Sequence, residues 1–218
     1  MKRISFVAIG LAIVLLGRAY CYDNHDFQVW NTDVEEFQLN KKLKGTLEEE
    51  FRWGDNASEF FYQHYDAGLS YTLNKYWHMG GGYRHVLELK KGSFKAENEP
   101  YLTATLFLGK NGFDFDSRSR LEYRHFAYQA DAWRYRNKFT LKLPWKFTAI
   151  EIRPFLSDEL LFGFGSANQL NQNRFYSGLS MGLAKHVKGE IYYLLVSTRD
   201  GGKWNDANVL GTKLKLSF

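Results

Sequence analysis

Cysteine is nearly absent from the 218 residues: there is 1, Cys21, so no disulfide framework can staple the fold. Proline is scarce too, with 3 residues. After residue 21 no run is apolar enough, for long enough, to cross a membrane as a helix. Charge of one sign is also lacking. The formal +5 falls to about +2 once Lys2, Arg3 and Arg18 are set aside, which argues against a nucleic-acid binder. What the chain has in plenty is aromatic side chains, 17% of residues, and that richness favours strands over helices.

The first residues, MKRISFVAIGLAIVLLGRAYCYD, read as an export signal: Lys2 and Arg3, an apolar stretch from Ile4 to Leu16, then small Gly17 and Ala19. Tyr20 is too bulky for a lipoprotein anchor at Cys21. Residues 1–21 are therefore expected to be a cleaved signal peptide, and residues 22–218 a single exported domain.

Downstream, segments of ten to sixteen residues alternate apolar and polar side chains with a period of two, and turn residues such as "NK" at 74, "KNG" at 110 and "RDGGKWND" at 199 separate them. Strands are expected near 43–53, 57–73, 75–90, 96–109, 113–127, 132–144, 149–164, 172–185, 188–198 and 207–218. Residues 24–41 supply a further strand or a hairpin. Segments of this length are about twice an ordinary globular strand and suffice to cross a bilayer at a tilt. Trp53, Trp77, Trp133 and Trp145 recur near the ends of apolar faces, as an interfacial girdle would. The expected fold is all-β, a transmembrane antiparallel up-and-down β-barrel with a polar, charged lumen. Loops near 41, 74, 111, 146 and 187 look short, and those near 55, 92, 129, 168 and 202 longer. If both termini lie on one side, the strand count is even: 12 with a hairpin at 24–41, or 10 if that region is a plug or an extension.

Several segments together resemble the outer-membrane barrel family known as domain of unknown function 2490: "DFQVW", "GGGYRH", "ENEPY", "RSRLEYR", "WRYRNKFTLKLP", "RPFLSDELLF", "NQNRFYSG", "IYYLL" and the terminal "KLSF". The resemblance implies the bacterial outer membrane and carries no established activity. In outer-membrane barrels generally, a C-terminal aromatic such as Phe218 is part of the signal read by the assembly machinery.

The stretch from Arg118 to Phe139 packs arginine among aromatics and looks at first like a nucleic-acid patch. Alternation divides it. Arg118, Arg120, Glu122 and Arg124 share one face, and Arg134, Arg136 and Lys138 the corresponding face of the next strand. Leu121, Tyr123, Trp133, Tyr135 and Phe139 point the other way. A basic side chain facing lipid at midplane costs roughly 2–4 kcal/mol, so the charged face is the lumen. A turn centred near Gln129 would set Arg124 opposite Arg134, Glu122 opposite Arg136 and Arg120 opposite Lys138. A tight turn at 145–148 would then bring Glu159 to Arg134 and Glu151 to Lys142. The same parity places Lys44, Glu48, Glu50, Arg52, Tyr62, His64, Asp66, His78, Arg84, Glu88, Glu99, Arg153, Arg174 and Glu190 inside, with glycines at 68, 80, 82, 178 and 182 making room.

Two functional readings follow. Basic residues lining a lumen can form a narrow pore for small polar or anionic solutes; alternatively they pair with acids and fill a closed structural barrel. A lipid-acting enzyme is the distant third, because His125 lies about 20 Å along the strand from Ser119 and no closer serine and histidine share a face. His64 with Asp66, and His78 with Arg84, lack metal-ligand spacing, and neither a metal nor a cofactor is expected. The expected partners are outer-membrane lipid, the barrel assembly machinery through the C-terminal strand, and small anionic solutes, with no nucleic acid and a monomeric state.

Overall fold

A computed structural model describes residues 24–165, 168–200 and 202–218. The signal peptide expected over 1–21 lies outside the described residues. Eleven strands follow one another: β1 (Asp26–Gln38), β2 (Leu43–Gly54), β3 (Glu59–Thr72), β4 (Trp77–Lys90), β5 (Ser93–Lys110), β6 (Phe113–Phe126), β7 (Ala132–Lys142), β8 (Arg153–Phe164), β9 (Gln169–Ala184), β10 (Val187–Asp200) and β11 (Lys203–Ser217). They close into one barrel in which each strand pairs with its sequence neighbours and β1 meets β11. The shortest strand has 11 residues and the longest 18.

The count corrects the expected 12 or 10. Of the two forms expected for residues 24–41, the single strand is the one found, as β1, and not the hairpin or plug; β1 runs parallel to β11, with Val29 beside Leu210 and Asp33 beside Leu214. An antiparallel meander of odd count has its first and last strands pointing the same way, so it closes only through a parallel seam. The even-number argument assumed both termini at one end. Instead Asp26 starts at the end carrying the 90–93 and 200–203 turns, and Phe218 finishes at the opposite end. There its N–H donates to Glu36 O at 2.8 Å and its ring stacks on Phe37 at 5.5 Å.

Glycine and asparagine make the tight turns where expected: Asn111 and Gly112, with φ of 54° and 82°, link β5 to β6. The turn expected at 145–148 is not tight. Residues 143–152 form the longest of the connections, folded back through a bridge between Phe147 and Ile152. The end expected to carry short turns therefore carries this long loop.

The outer wall is largely apolar, with Leu69, Leu102, Leu121, Trp133, Phe175, Tyr193 and Leu210 among its exposed side chains. Polar side chains interrupt it at the seam, where Asn31, Asp33 and Glu35 point outward on β1 and Asp33 stands opposite Glu49, and again at Asp158 on β8, set between Phe139 and Phe175.

The lumen is filled on two chemical principles. Trp30, Phe155, Tyr176, Tyr192, Leu194, Val196 and Val209 form an apolar cluster against β1 and β8 to β11. Charged side chains fill the other half. The expectation of a polar, charged lumen did not include the first of these, because "IYYLLV" at 191–196 is apolar on both faces and its alternation carries no signal.

Candidate functional site: the ion-paired lumen

Strand parity sends the basic side chains of β6 and β7 inward, and register decides their partners. Arg118 stands opposite Lys138, Arg120 opposite Arg136, and Glu122 opposite Arg134. This register differs by two residues from the one expected, which leaves every inward residue inward while changing all the neighbours. Between β7 and β8 the slip is four: Lys138, not Arg134, lies opposite Glu159, and Phe155, not Glu151, lies opposite Lys142.

Glu151 is a correction in its own right. It lies in the 143–152 loop, exposed, and pairs with Lys146 at 3.0 Å. Arg153 is also apart from the network. It ties the loop end together, donating to Asp114 at 2.5 Å, Leu143 O at 2.5 Å and Gly112 O at 2.6 Å.

The centre of the lumen is built on carboxylates that each serve several guanidiniums. Glu122 accepts from Arg134 Nε and, at 3.1 Å, from Arg136 Nη1. Glu159 accepts from Arg136 Nη2 and Nε at 2.8 and 3.2 Å, and Arg174 Nη1 reaches its other oxygen at 3.5 Å. Glu99 takes Arg134 Nη2 at 2.5 Å, and Glu97 takes Arg124 Nη2 at 2.9 Å. Asp66 accepts from Arg84 Nε at 2.9 Å and from the Tyr101 hydroxyl at 2.6 Å. Glu48 joins Arg84 at 3.1 Å and His64 at 3.2 Å.

Some of these bonds cross the barrel. Arg120 on β6 reaches Asp66 on β3 at 3.5 Å, three strands away around the wall. Glu99, Glu122 and Glu159 are almost entirely screened from solvent, at 2%, 0% and 1% exposure. Charges so placed persist only when paired and hydrogen-bonded.

Rings share the charge with the acids: Arg52 also donates to Glu50 at 2.6 Å, and Arg120 reaches Asp66 and Glu122. The Arg52 guanidinium lies 3.6 Å from the Trp30 ring centroid and 3.9 Å from that of Tyr62, and Arg120 lies 3.9 Å over Tyr101. Trp30, Tyr101 and Glu97 were not singled out from sequence. Parity with Gln28, Glu99 and Lys95 could have found them.

Of the expected cluster, Arg120, Glu122, Arg124, Arg134, Arg136, Glu159 and Arg174 come together in the network. Arg118 and Lys138 stand at its edge, beside a cavity of about 100 Å³ bordered by Lys213 and Glu190. The serine and histidine residues of the outer face are engaged elsewhere. Ser119 Oγ bonds the Tyr135 hydroxyl at 2.9 Å, and His125 Nδ1 bonds Asp131 at 3.0 Å.

Taken together, these features define a closed, eleven-stranded β-barrel, counted over the described residues, with an ion-paired and aromatic interior. The chain belongs to the family described as protein of unknown function (DUF2490), whose model matches residues 27–207. No curated protein matches it.

Proposed function

We propose that this chain is an outer-membrane β-barrel of a diderm bacterium whose lumen is a sealed core. The observation that carries the seal is Glu122, fully buried in the lumen between Arg134 and Arg136. An open path along the axis would hydrate that carboxylate, and a ring of hydrated, unpaired basic residues is what an anion-selective channel needs. Here the guanidiniums of the centre are spent on acids and aromatic faces, and the apolar cluster around Leu194 fills the remaining section. Of the two lumen readings open from sequence, the geometry favours the closed barrel.

Membrane placement is supported by the wall. Leu102, Leu69 and Trp133 stand exposed on strands long enough to cross a bilayer, where water would penalise them and lipid would not. Trp77, Trp133 and Trp204, near strand ends, suit the interface. The acids Asp33, Glu35 and Glu49 mark the stretch of wall that lipid tolerates least. The strand ending at Phe218 is the segment offered to the assembly machinery before it zips against β1. A monomer suffices, because the sheet leaves no open edge.

Conductance of the refolded chain in a planar bilayer tests the reading. The expected result is a silent membrane together with a heat-modifiable band showing that the barrel is intact. Steady, anion-biased openings would replace the seal with the pore.

A further inference from the structure

We propose that the half of the lumen toward the Phe218 end is a blind oxyanion site, in which Arg118, Lys138 and Lys213 hold a phosphate or sulfate group. All three border the cavity of about 100 Å³. A water needs roughly 10–15 Å³ by this measure, so the space accepts several waters or one small oxyanion.

The donors are unspent. Arg134 and Arg136 give short hydrogen bonds to carboxylates, whereas Arg118, Lys138 and Lys213 make no hydrogen bond among the described residues. Arg118 stands 3.8 Å from Glu159 and Lys213 stands 3.7 Å from Glu48. Lys138 Nζ lies 3.7 Å from the Tyr176 ring centroid. The acids that could satisfy them are already engaged, Glu159 by Arg136 and Glu48 by Arg84 and His64. Glu50, also in the lining, is held by Arg52 at 2.6 Å, and Glu190, opposite Lys213 in register, sits 3.8 Å from Lys142.

Three cations face two acids without a close ion pair, Glu190 in the lining and Asp116 beside Arg118 on the same face of β6, and that leaves a positive potential in a narrow recess. A forked guanidinium with two point-charge ammoniums suits a tetrahedral oxyanion better than chloride, which cannot accept a parallel pair of N–H bonds on two oxygens. The side chains at the mouth are about a third exposed, and those at the floor, Arg136 and Glu159, are buried. An ion therefore enters and leaves by one mouth. That last statement alone rests on the sealed lumen; the site itself does not.

Titration calorimetry of the refolded barrel at low ionic strength, with inorganic phosphate as the probe, tests the site. Saturable binding of one phosphate is expected, with chloride silent and sulfate competing. Methyl phosphate in a parallel titration separates a site for the free ion from one that also takes phosphate esters. Lys138→Met and Arg118→Gln should each weaken binding by about tenfold or more, since each removes a charge-assisted bond. Lys75→Gln, exposed in the β3–β4 turn, should leave it unchanged. Heat modifiability of each variant verifies folding, and Lys213→Gln substitutes for either variant that fails it. No saturable heat with the unaltered chain, or equal affinity in the variants, overturns the proposal. Phosphate binding together with steady conductance removes the seal and keeps the site; silence in both measurements removes the site and keeps the seal.

Discussion

Arg120 and Arg136 stand directly opposite each other on β6 and β7, both pointing into the lumen. Like charges so placed destabilise a sheet unless an acid lies between them. Glu122 supplies it, 3.1 Å from Arg136 and 3.8 Å from Arg120, while also holding Arg134. The pair is a consequence of register, and the carboxylate next to it is what makes the register tolerable.

Glu122→Gln should therefore be among the most damaging single substitutions in the barrel. It keeps the shape but leaves three buried guanidiniums short of one negative charge. Breaking a buried network in this way costs about 3–5 kcal/mol. Denaturant unfolding in micelles, followed by the heat-modifiable gel shift, would measure it. Adding Arg134→Gln to the same chain should recover part of the loss, because it removes one of the stranded charges.

Two inward glycines make a controlled comparison. A methyl group at Gly82 would collide with the Tyr101 hydroxyl and lie 2.5 Å from Ala67 O, forcing Tyr101 away from Asp66. At Gly182 the nearest atom would be 3.7 Å away. Gly82→Ala is expected to destabilise the barrel by about 1–3 kcal/mol, as overpacking does, and Gly182→Ala to be close to neutral. Equal effects in the same unfolding assay would mean that the Tyr101 contact does not constrain the wall.

Much of this arrangement was legible in the sequence, and the limits have physical causes. The period-two pattern of β6 and β7 assigned Arg120, Glu122, Arg134 and Arg136 to the lumen correctly, since parity survives any even slip. Partners did not follow, because Arg120 beside Arg136 is a pairing that local charge logic rejects; Glu122 and the cross-lumen Asp66 resolve it only in three dimensions. Glu151 was misplaced for a related reason. Its parity was right for a continued strand, but the chain leaves the sheet at Leu143 and folds back before re-entering at Arg153. The seam was hidden because closure is a property of the whole sheet and not of either terminal segment.

The corrected register can be trapped covalently. With Cys21 replaced by serine, a chain carrying Leu121→Cys and Tyr135→Cys places the thiols on directly opposed residues of the outer wall, within the usual range for a disulfide. Leu121→Cys with Asn137→Cys represents the register expected from sequence, offset by two residues. Mild oxidation should link the first pair quantitatively and the second poorly, read as a shift on a denaturing gel before and after reduction. The opposite outcome would restore the sequence-based register, and with it a different set of partners for Arg134 and Arg136.

The loop between β6 and β7 offers a test by pH. Asp131 accepts from the Tyr123 hydroxyl at 2.6 Å, from His125 Nδ1 at 3.0 Å and from the Phe126 N–H at 3.1 Å. The Tyr123 bond, followed by the His125 and Phe126 bonds, pulls its carboxyl down to about 2, below the ordinary aspartate value. All three partners favour the ionised form. A carboxyl lowered on folding contributes stability that is full above its unfolded pKa and fades as pH falls through its folded one. The loop should thus stay clamped at pH 4 and loosen only as the pH approaches 2. Carbon-detected NMR of the Asp131 carboxyl should show its midpoint near 2. Tyr123→Phe should move that midpoint upward toward the ordinary value, and an unchanged midpoint in that variant would assign the clamp to His125 and the Phe126 backbone instead.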